Sequence, residues 1–362
     1  MRHYNIPVFI PHMGCPFRCI FCNQNKIASQ AQIPEVSDVE HIVEQHLATI
    51  PRSETDIEIA FFGGSFTAIS KDLQQQYLAA VNPYLKSGRV QGIRLSTRPD
   101  YIDKEILDFL SSWGVTVIEL GVQSMHEEVL KASRRGYETD DVLKACKLIK
   151  EYGFKLGIQL MIGLPGDNYY RDMETTEQVL SINPDMIRIY PTLVVASTYL
   201  ATLYHHGEYI PLELDEAIEI SKDMLIQFQK KDIDVIRIGL QPSEDLRSEG
   251  TVIAGPFHPS FGELVEQAIF KDQAELAITS FLAGDKAYND IVLYSNKRDI
   301  SKMIGCRKSN IAYLEKKFGL TKIQVKTLEK QERDWVGISE LPGNYPRQVI
   351  SRTDYINFAT IK

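Results

Sequence analysis

Short apolar runs alternate with amphipathic helical patterns along the first 240 or so of the 362 residues, and a chain built this way winds βα units around a parallel sheet. Ile6 to Ile10, Ile57 to Phe62, Ile93 to Thr97, Val115 to Val122, Leu156 to Ile162 and Met186 to Tyr190 read as successive strands. Helical stripes fall between them, the first opened by an expected capping box of Ser37 and Glu40, the next by Ser70 as N-cap. A long helix from Glu213 to Lys231 and a strand from Asp234 to Ile238 extend the series. The fold class is therefore α/β: an incomplete TIM-type (β/α)6 barrel over residues 1–240, whose functional residues are expected at the C-terminal strand ends. Gln241 to Gly262 is rich in Pro, Gly, Ser and charge, as a linker or lid would be. Residues 241–362 would hold it together with a small α+β C-terminal region that binds nucleic acid or substrate.

Behind the first strand stands Cys15-Pro-Phe-Arg-Cys19-Ile-Phe-Cys22. Three thiols at this spacing suit three corners of a cubane iron-sulfur cluster and leave one iron without a protein ligand. A zinc site would need a fourth Cys or His, and His3 and His12 are near enough to keep that reading open for the loop alone. Five Cys with three packed together argue for a reducing compartment, and Cys146 falls on the apolar stripe of a helix. There is no apolar run of about 18 residues and no charged-then-apolar leader, so a cytoplasmic protein is expected, with no membrane partner. The net charge of −8 hides an asymmetry, because from Asp285 to Asp334 Lys and Arg outnumber Asp and Glu by 12 to 7. Such a basic segment points to a polyanionic partner.

The other distinctive sequences all fall where strands end. Phe61-Phe62-Gly63-Gly64-Ser65 follows the second strand, Ser96-Thr97-Arg98-Pro99-Asp100 the third, Glu119-Leu-Gly-Val-Gln123-Ser124 the fourth, and Gln159-Leu-Met161-Ile-Gly-Leu-Pro-Gly166 the fifth. Arg134-Arg135-Gly136-Tyr137 lies between the last two. The Cys spacing resembles the signature of the radical S-adenosylmethionine (SAM) superfamily, and the strand-end motifs most resemble the radical SAM half of the Elongator catalytic-subunit family. The resemblance implies a 4Fe-4S cluster on Cys15, Cys19 and Cys22, with SAM on its open iron, reductively cleaved to a 5'-deoxyadenosyl radical. It also implies SAM contacts from Gly63, Gly64, Ser65, Ser96, Arg98, Gln123, Gln159 and Met161. Arg135, or Arg134 in its place, would meet the SAM carboxylate. A reductant such as flavodoxin or ferredoxin would supply the electron.

Two departures limit the likeness. The Cys spacing is the plain superfamily form, and no acetyl-CoA-binding Gly-rich motif follows residue 250. Near the C-terminus, Ile304-Gly-Cys-Arg-Lys308 loosely resembles the phosphate-gripping loop of KH nucleic-acid modules, with Lys308 where the second glycine belongs; the alternative is a helical hairpin with a solvated basic face. RNA, probed as tRNA held by Arg307, Lys308, Lys316 and Lys317, is the first expected substrate. A small-molecule or porphyrin-like substrate is the second reading, and a non-catalytic metal-binding regulator the third.

Overall fold

The computed structural model describes residues 2–10, 15, 19–23, 33–51, 55–241, 244–283, 288–328 and 330–359. His12 and the residues between Cys15 and Cys19 lie outside them. The described residues divide into two units, 1–214 with 233–259 and 215–232 with 260–362. The single cut expected at 240/241 is thus replaced by an exchange. Residues 241 and 244–259 group with the barrel, and most of the long helix Leu214–Gln229 groups with the second unit.

The first unit is built on strands β1 (Arg2–Ile10), β2 (Thr55–Gly63), β3 (Gly92–Thr97), β4 (Val115–Gln123), β5 (Lys155–Ile162) and β6 (Met186–Pro191). After the short β7 (Val194–Val195), β8 (Asp234–Ile238) adds a seventh parallel strand beside β6. The sheet runs β1-β2-β3-β4-β5-β6-β8, and among the described residues nothing pairs across its two edges. This is the incomplete barrel expected, one strand longer than six. The expected linker contributes β9 (Val252–Ala254), which pairs antiparallel with β7. Most helix starts follow the sequence, but the first begins earlier than expected. Glu35 is the N-cap of Val36–Thr49 and exchanges capping hydrogen bonds with Asp38, while Ser70 caps its helix without a side-chain bond.

The two faces of the sheet differ in chemistry. Ile93, Leu95, Ile118, Leu120, Ile158, Leu160, Ile187 and Ile189 are fully or almost fully buried, each worth roughly 1.5–3 kcal/mol as apolar surface removed from water. The alternate residues form a polar inner face. Near the middle of the strands Arg94 donates to Glu58 at 2.6 Å and to Glu119 at 2.7 Å, and Arg188 donates to Glu119 at 2.5 Å. Arg188 and Arg94 hold the Glu119 carboxyl below its ordinary value despite the opposing effect of burial. Gly157 makes room for this arrangement, since a Cβ there would stand 2.7 Å from Glu119 Cγ.

The second unit carries a mixed sheet, β11-β10-β12-β13, from β10 (Asp290–Ser295), β11 (Lys322–Thr327), β12 (Trp335–Glu340) and β13 (Gln348–Ser351). β10 and β11 are parallel, joined by the helices Ile300–Ile304 and Ser309–Phe318. The basic loop lies between those helices. Arg307 and Lys308 are exposed, at φ 51° and 66°, and the Asn310 amide pins the turn by donating to the carbonyls of Gln267 and Lys302 at 2.9 and 3.0 Å. Lys317, expected among the phosphate contacts, instead pairs with Glu275 at 2.5 Å.

Removing one member of a buried ion network strands the others without compensation. Glu119→Ala is therefore expected to cost about 3–5 kcal/mol in urea unfolding; a loss below about 1 kcal/mol would show that the network contributes little.

Candidate active site at the strand ends

At the end of β2 the chain turns on Gly63, at φ 114°, where a Cβ would meet the Ile10 carbonyl oxygen at 2.5 Å. Only glycine fits such a close approach at that dihedral. The next amide, Gly64 N–H, donates to the same Ile10 carbonyl at 2.8 Å and ties β1 to β2. Ser65 then enters a chain of hydroxyls whose direction follows from counting protons. Thr67 donates to the Tyr101 carbonyl at 2.7 Å, so it accepts from Thr97 at 2.6 Å. Thr97 in turn accepts from Ser65 at 2.8 Å, and the Ser65 oxygen is left to accept from the Arg98 amide at 3.2 Å. Each hydroxyl donates once. Gly64, Ser65 and Ser96 line a small cleft with Ile10, Phe62 and Phe66.

Gln123 owes its position to a bulge. The β4–β5 register slips between Gly121 and Gln123, and Gln123 adopts φ 72° although it is not glycine. Bulges re-aim side chains, and a buried residue held at positive φ marks strain kept in place by its surroundings. Gln159 donates to Gln123 Oε1 at 3.4 Å, so the two amides share the mouth of the barrel with the half-buried Met161.

Both expected arginines are buried and engaged. Arg98 forms a two-pronged pair with Asp100 at 2.9 Å on each side, donates to the Arg135 carbonyl at 2.5 Å and lies over the Tyr137 ring. Arg135 donates to the Tyr137 hydroxyl at 2.9 Å, to the Gly121 carbonyl at 2.5 Å and to Cys19 Sγ at 3.0 Å. Burial opposes its charge, yet Tyr137 and Cys19 more than offset that and its pKa is raised. Arg135, expected to receive the SAM carboxylate, has its fork turned to a cysteine sulfur and a carbonyl. Arg134, the alternative, is exposed at φ 53° and stacks on Tyr199 at 4.1 Å.

The Cys loop is tied to the barrel on two sides. Ile20 N–H donates to the Ser133 carbonyl at 3.3 Å, and Leu200 N–H donates to the Ile20 carbonyl at 2.8 Å. The Ile20 side chain is buried with Val194, Leu200, Ala201 and Tyr209. Cys19 is buried and Cys22 half-buried; Cys15 is exposed as a residue, but its thiol is crowded. Burial and the neighbouring Cys19 raise the Cys15 pKa, while Arg98, a hydrogen bond from the Ser65 backbone and Arg135 oppose the rise. Two thiols, the Gly-Gly-Ser turn and both arginines thus occupy one place. Among the described residues no three His, Cys, Asp or Glu side chains are gathered into a finished metal site. Cys146 is core, its thiol pushed by burial up to about 12.

Motif reading did not pick out the carboxyl pair beneath the Gly-Leu-Pro-Gly turn. Burial pushes Asp167 up to about 6, and burial with the adjacent Asp167 carries Asp172 well above the ordinary 3.8. Both carboxyls are thereby biased toward their protonated forms, and Tyr209 donates to the Gly163 carbonyl of the same turn at 2.6 Å. The signal was an Asp placed where the helix Tyr169–Ile182 turns its buried face inward.

The chain belongs to the radical SAM superfamily. It matches that family over residues 9–179 and the radical SAM C-terminal domain over residues 184–271. It is 30% identical over 197 residues to a tRNA uridine(34) acetyltransferase of Methanocaldococcus infernus, covering 49% of this chain and 37% of that protein. An uncharacterized protein of Methanocaldococcus jannaschii is 31% identical over 233 residues, 61% of this chain and 71% of its own. The chain thus spans little more than a third of the acetyltransferase. Among solved structures, the archaeal Elp3 of M. infernus superposes with a TM-score of 0.59 at 24% identity over 74% of this chain and 63% of that one, which shows the fold. The protein is a radical SAM enzyme, and its cofactors are those of the superfamily, a 4Fe-4S cluster and SAM. Among the described residues no helix is long and apolar enough to cross a membrane.

Two predictions follow from the geometry. Gly63→Ala places a methyl against a backbone oxygen and is expected to lower the thermal midpoint by several degrees, about 1–3 kcal/mol of strain; an unchanged midpoint would mean the turn is not constrained. The raised carboxyls give a pH signature. The folded state keeps protons that the unfolded chain has released, so their contribution to stability falls as pH rises from about 4 through about 6. Asp172→Asn should flatten that fall and unfold at a higher temperature than the parent at pH 7.5. A parallel pH profile in the two proteins would contradict the raised carboxyls.

Proposed function

We propose that Cys15, Cys19 and Cys22 hold the cluster and that the C-terminal strand ends hold SAM beside it, in a cytoplasmic enzyme that modifies RNA. The observation that carries this is the convergence of the Cys15 thiol, the Ser65 backbone and the Arg135–Cys19 contact at one point of the barrel mouth. The donor set fits the group. Thiols are the ligands such a cluster takes, and a buried cation stands 3.0 Å from the Cys19 sulfur. When bound, the cluster supplies the electron that cleaves SAM to a 5'-deoxyadenosyl radical.

The chain's own residues do the rest. Gly63 and Gly64 let a ligand approach the backbone closely. Ser96 presents a hydroxyl on the cleft, Ser65 lines it with its own hydroxyl tied to Thr97 and the Arg98 amide, and Gln123, re-aimed by its bulge, offers both a donor and an acceptor to ribose hydroxyls. Gln159 fixes the Gln123 amide, and Met161 provides an apolar neighbour for adenine. Arg98 acts by clamping the Arg135 carbonyl and thereby the loop behind Cys19.

RNA as substrate is supported by the names of the relatives and by the exposed Arg307, Lys308 and Lys316 of the second unit. The test is anaerobic. Protein reconstituted with iron and sulfide is given dithionite and SAM, with and without bulk tRNA, and 5'-deoxyadenosine is quantified. Formation stimulated several-fold by tRNA is expected. Slow formation indifferent to tRNA would direct the search to small molecules, and none at all from a loaded cluster would overturn the enzymatic reading.

A further inference from the structure

We propose that Arg135 is a positioning residue that sets how readily the cluster accepts its electron, acting through the Cys19 sulfur. The inference rests on the assignment of Cys19 as a cluster ligand and goes beyond it.

The geometry is specific. Arg135 is 5% exposed, and its three contacts fix the guanidinium plane: Nε on the Tyr137 hydroxyl, one terminal nitrogen on the Gly121 carbonyl, the other 3.0 Å from Cys19 Sγ. The Tyr137 hydroxyl is itself anchored, 2.7 Å from the Gly121 carbonyl and 2.8 Å from the Val122 carbonyl. The backbone of Arg135 is held at both ends, its amide on the Leu130 carbonyl at 3.0 Å and its carbonyl by Arg98 at 2.5 Å. Among the described residues no carboxylate is paired with Arg135, and its charge faces the Cys19 sulfur.

A charge so placed has a direction of effect. Addition of one electron, drawn from an external low-potential one-electron donor, makes the cluster and its three thiolates more negative by one unit. A buried cation hydrogen-bonded to a ligand sulfur stabilises the more negative state more than the less negative one. In a water-poor site that difference is larger than at the surface. Arg135 therefore raises the reduction potential and eases the first step of the reaction.

The experiment is a redox titration followed by electron paramagnetic resonance on anaerobically reconstituted protein, together with iron and sulfide content and SAM affinity. Arg135→Gln is expected to keep its cluster but to be harder to reduce. At the parent's midpoint its reduced-to-oxidised ratio should fall about tenfold, which for a one-electron couple is about 59 mV. Arg135→Lys, which keeps the charge but loses the fork, should lie between the two. Tyr137→Phe should move the same way by less, and serves as the measurement if Arg135→Gln does not fold. A loaded Arg135→Gln protein with an unchanged midpoint would overturn the inference, and weakened SAM binding at that unchanged midpoint would return Arg135 to the carboxylate role. Cys19→Ala separates the two levels of the claim. Loss of the cluster supports the ligand assignment on which the inference rests, and a full cluster without Cys19 removes it.

Discussion

A carboxylate gripped by two arginines inside the sheet, Glu119 between Arg94 and Arg188, sets the conditions for everything above it. Charges taken out of water are costly unless each finds a partner. Here the partners come from β2, β3, β4 and β6, so the network fixes the relation of four strands through their side chains as well as their backbones. The same face also carries the neutral polar groups Ser96, Gln123 and Gln159, with Ser96 in register with Glu119 and Gln159 with Arg188.

The mouth is organised by ties between strand ends more than by any single side chain. The Ile10 carbonyl receives Gly64, the hydroxyl chain runs from Ser65 to the Tyr101 carbonyl, and Arg98 and Arg135 link β3, β4 and the Cys loop. A site held this way is preorganised, since the groups that would touch a ligand are already fixed by neighbours that do not. The strained Gln123 backbone fits the same account.

Much of this was legible in the residues. Six strands followed from apolar runs because a parallel sheet buries them on one side, and the motifs fell at C-terminal ends because βα barrels put their loops there. What local pattern could not show was where side chains turn. Arg98 looked like a ligand donor by type, and the structure adds its two-pronged pair with Asp100 and its bond to the Arg135 carbonyl. Arg135, preferred to Arg134 as the contact to the SAM carboxylate, is the buried one of the two, and its fork reaches a sulfur distant in sequence. The bulge at Gln123 and the coupling of Asp167 with Asp172 depend on register and burial, which no periodicity encodes. The exchange of segments between the two units was hidden for a related reason, since the helix Leu214–Gln229 has the same amphipathic pattern whichever partner it buries against.

The central claim is that one iron of a cluster held by Cys15, Cys19 and Cys22 is open to SAM. Electron paramagnetic resonance of the reduced, reconstituted protein before and after addition of SAM tests it most directly. The account predicts a cluster signal whose g-values change when SAM is added and which is absent from Cys19→Ala. A cluster signal indifferent to saturating SAM, or one that persists without Cys19, would contradict it.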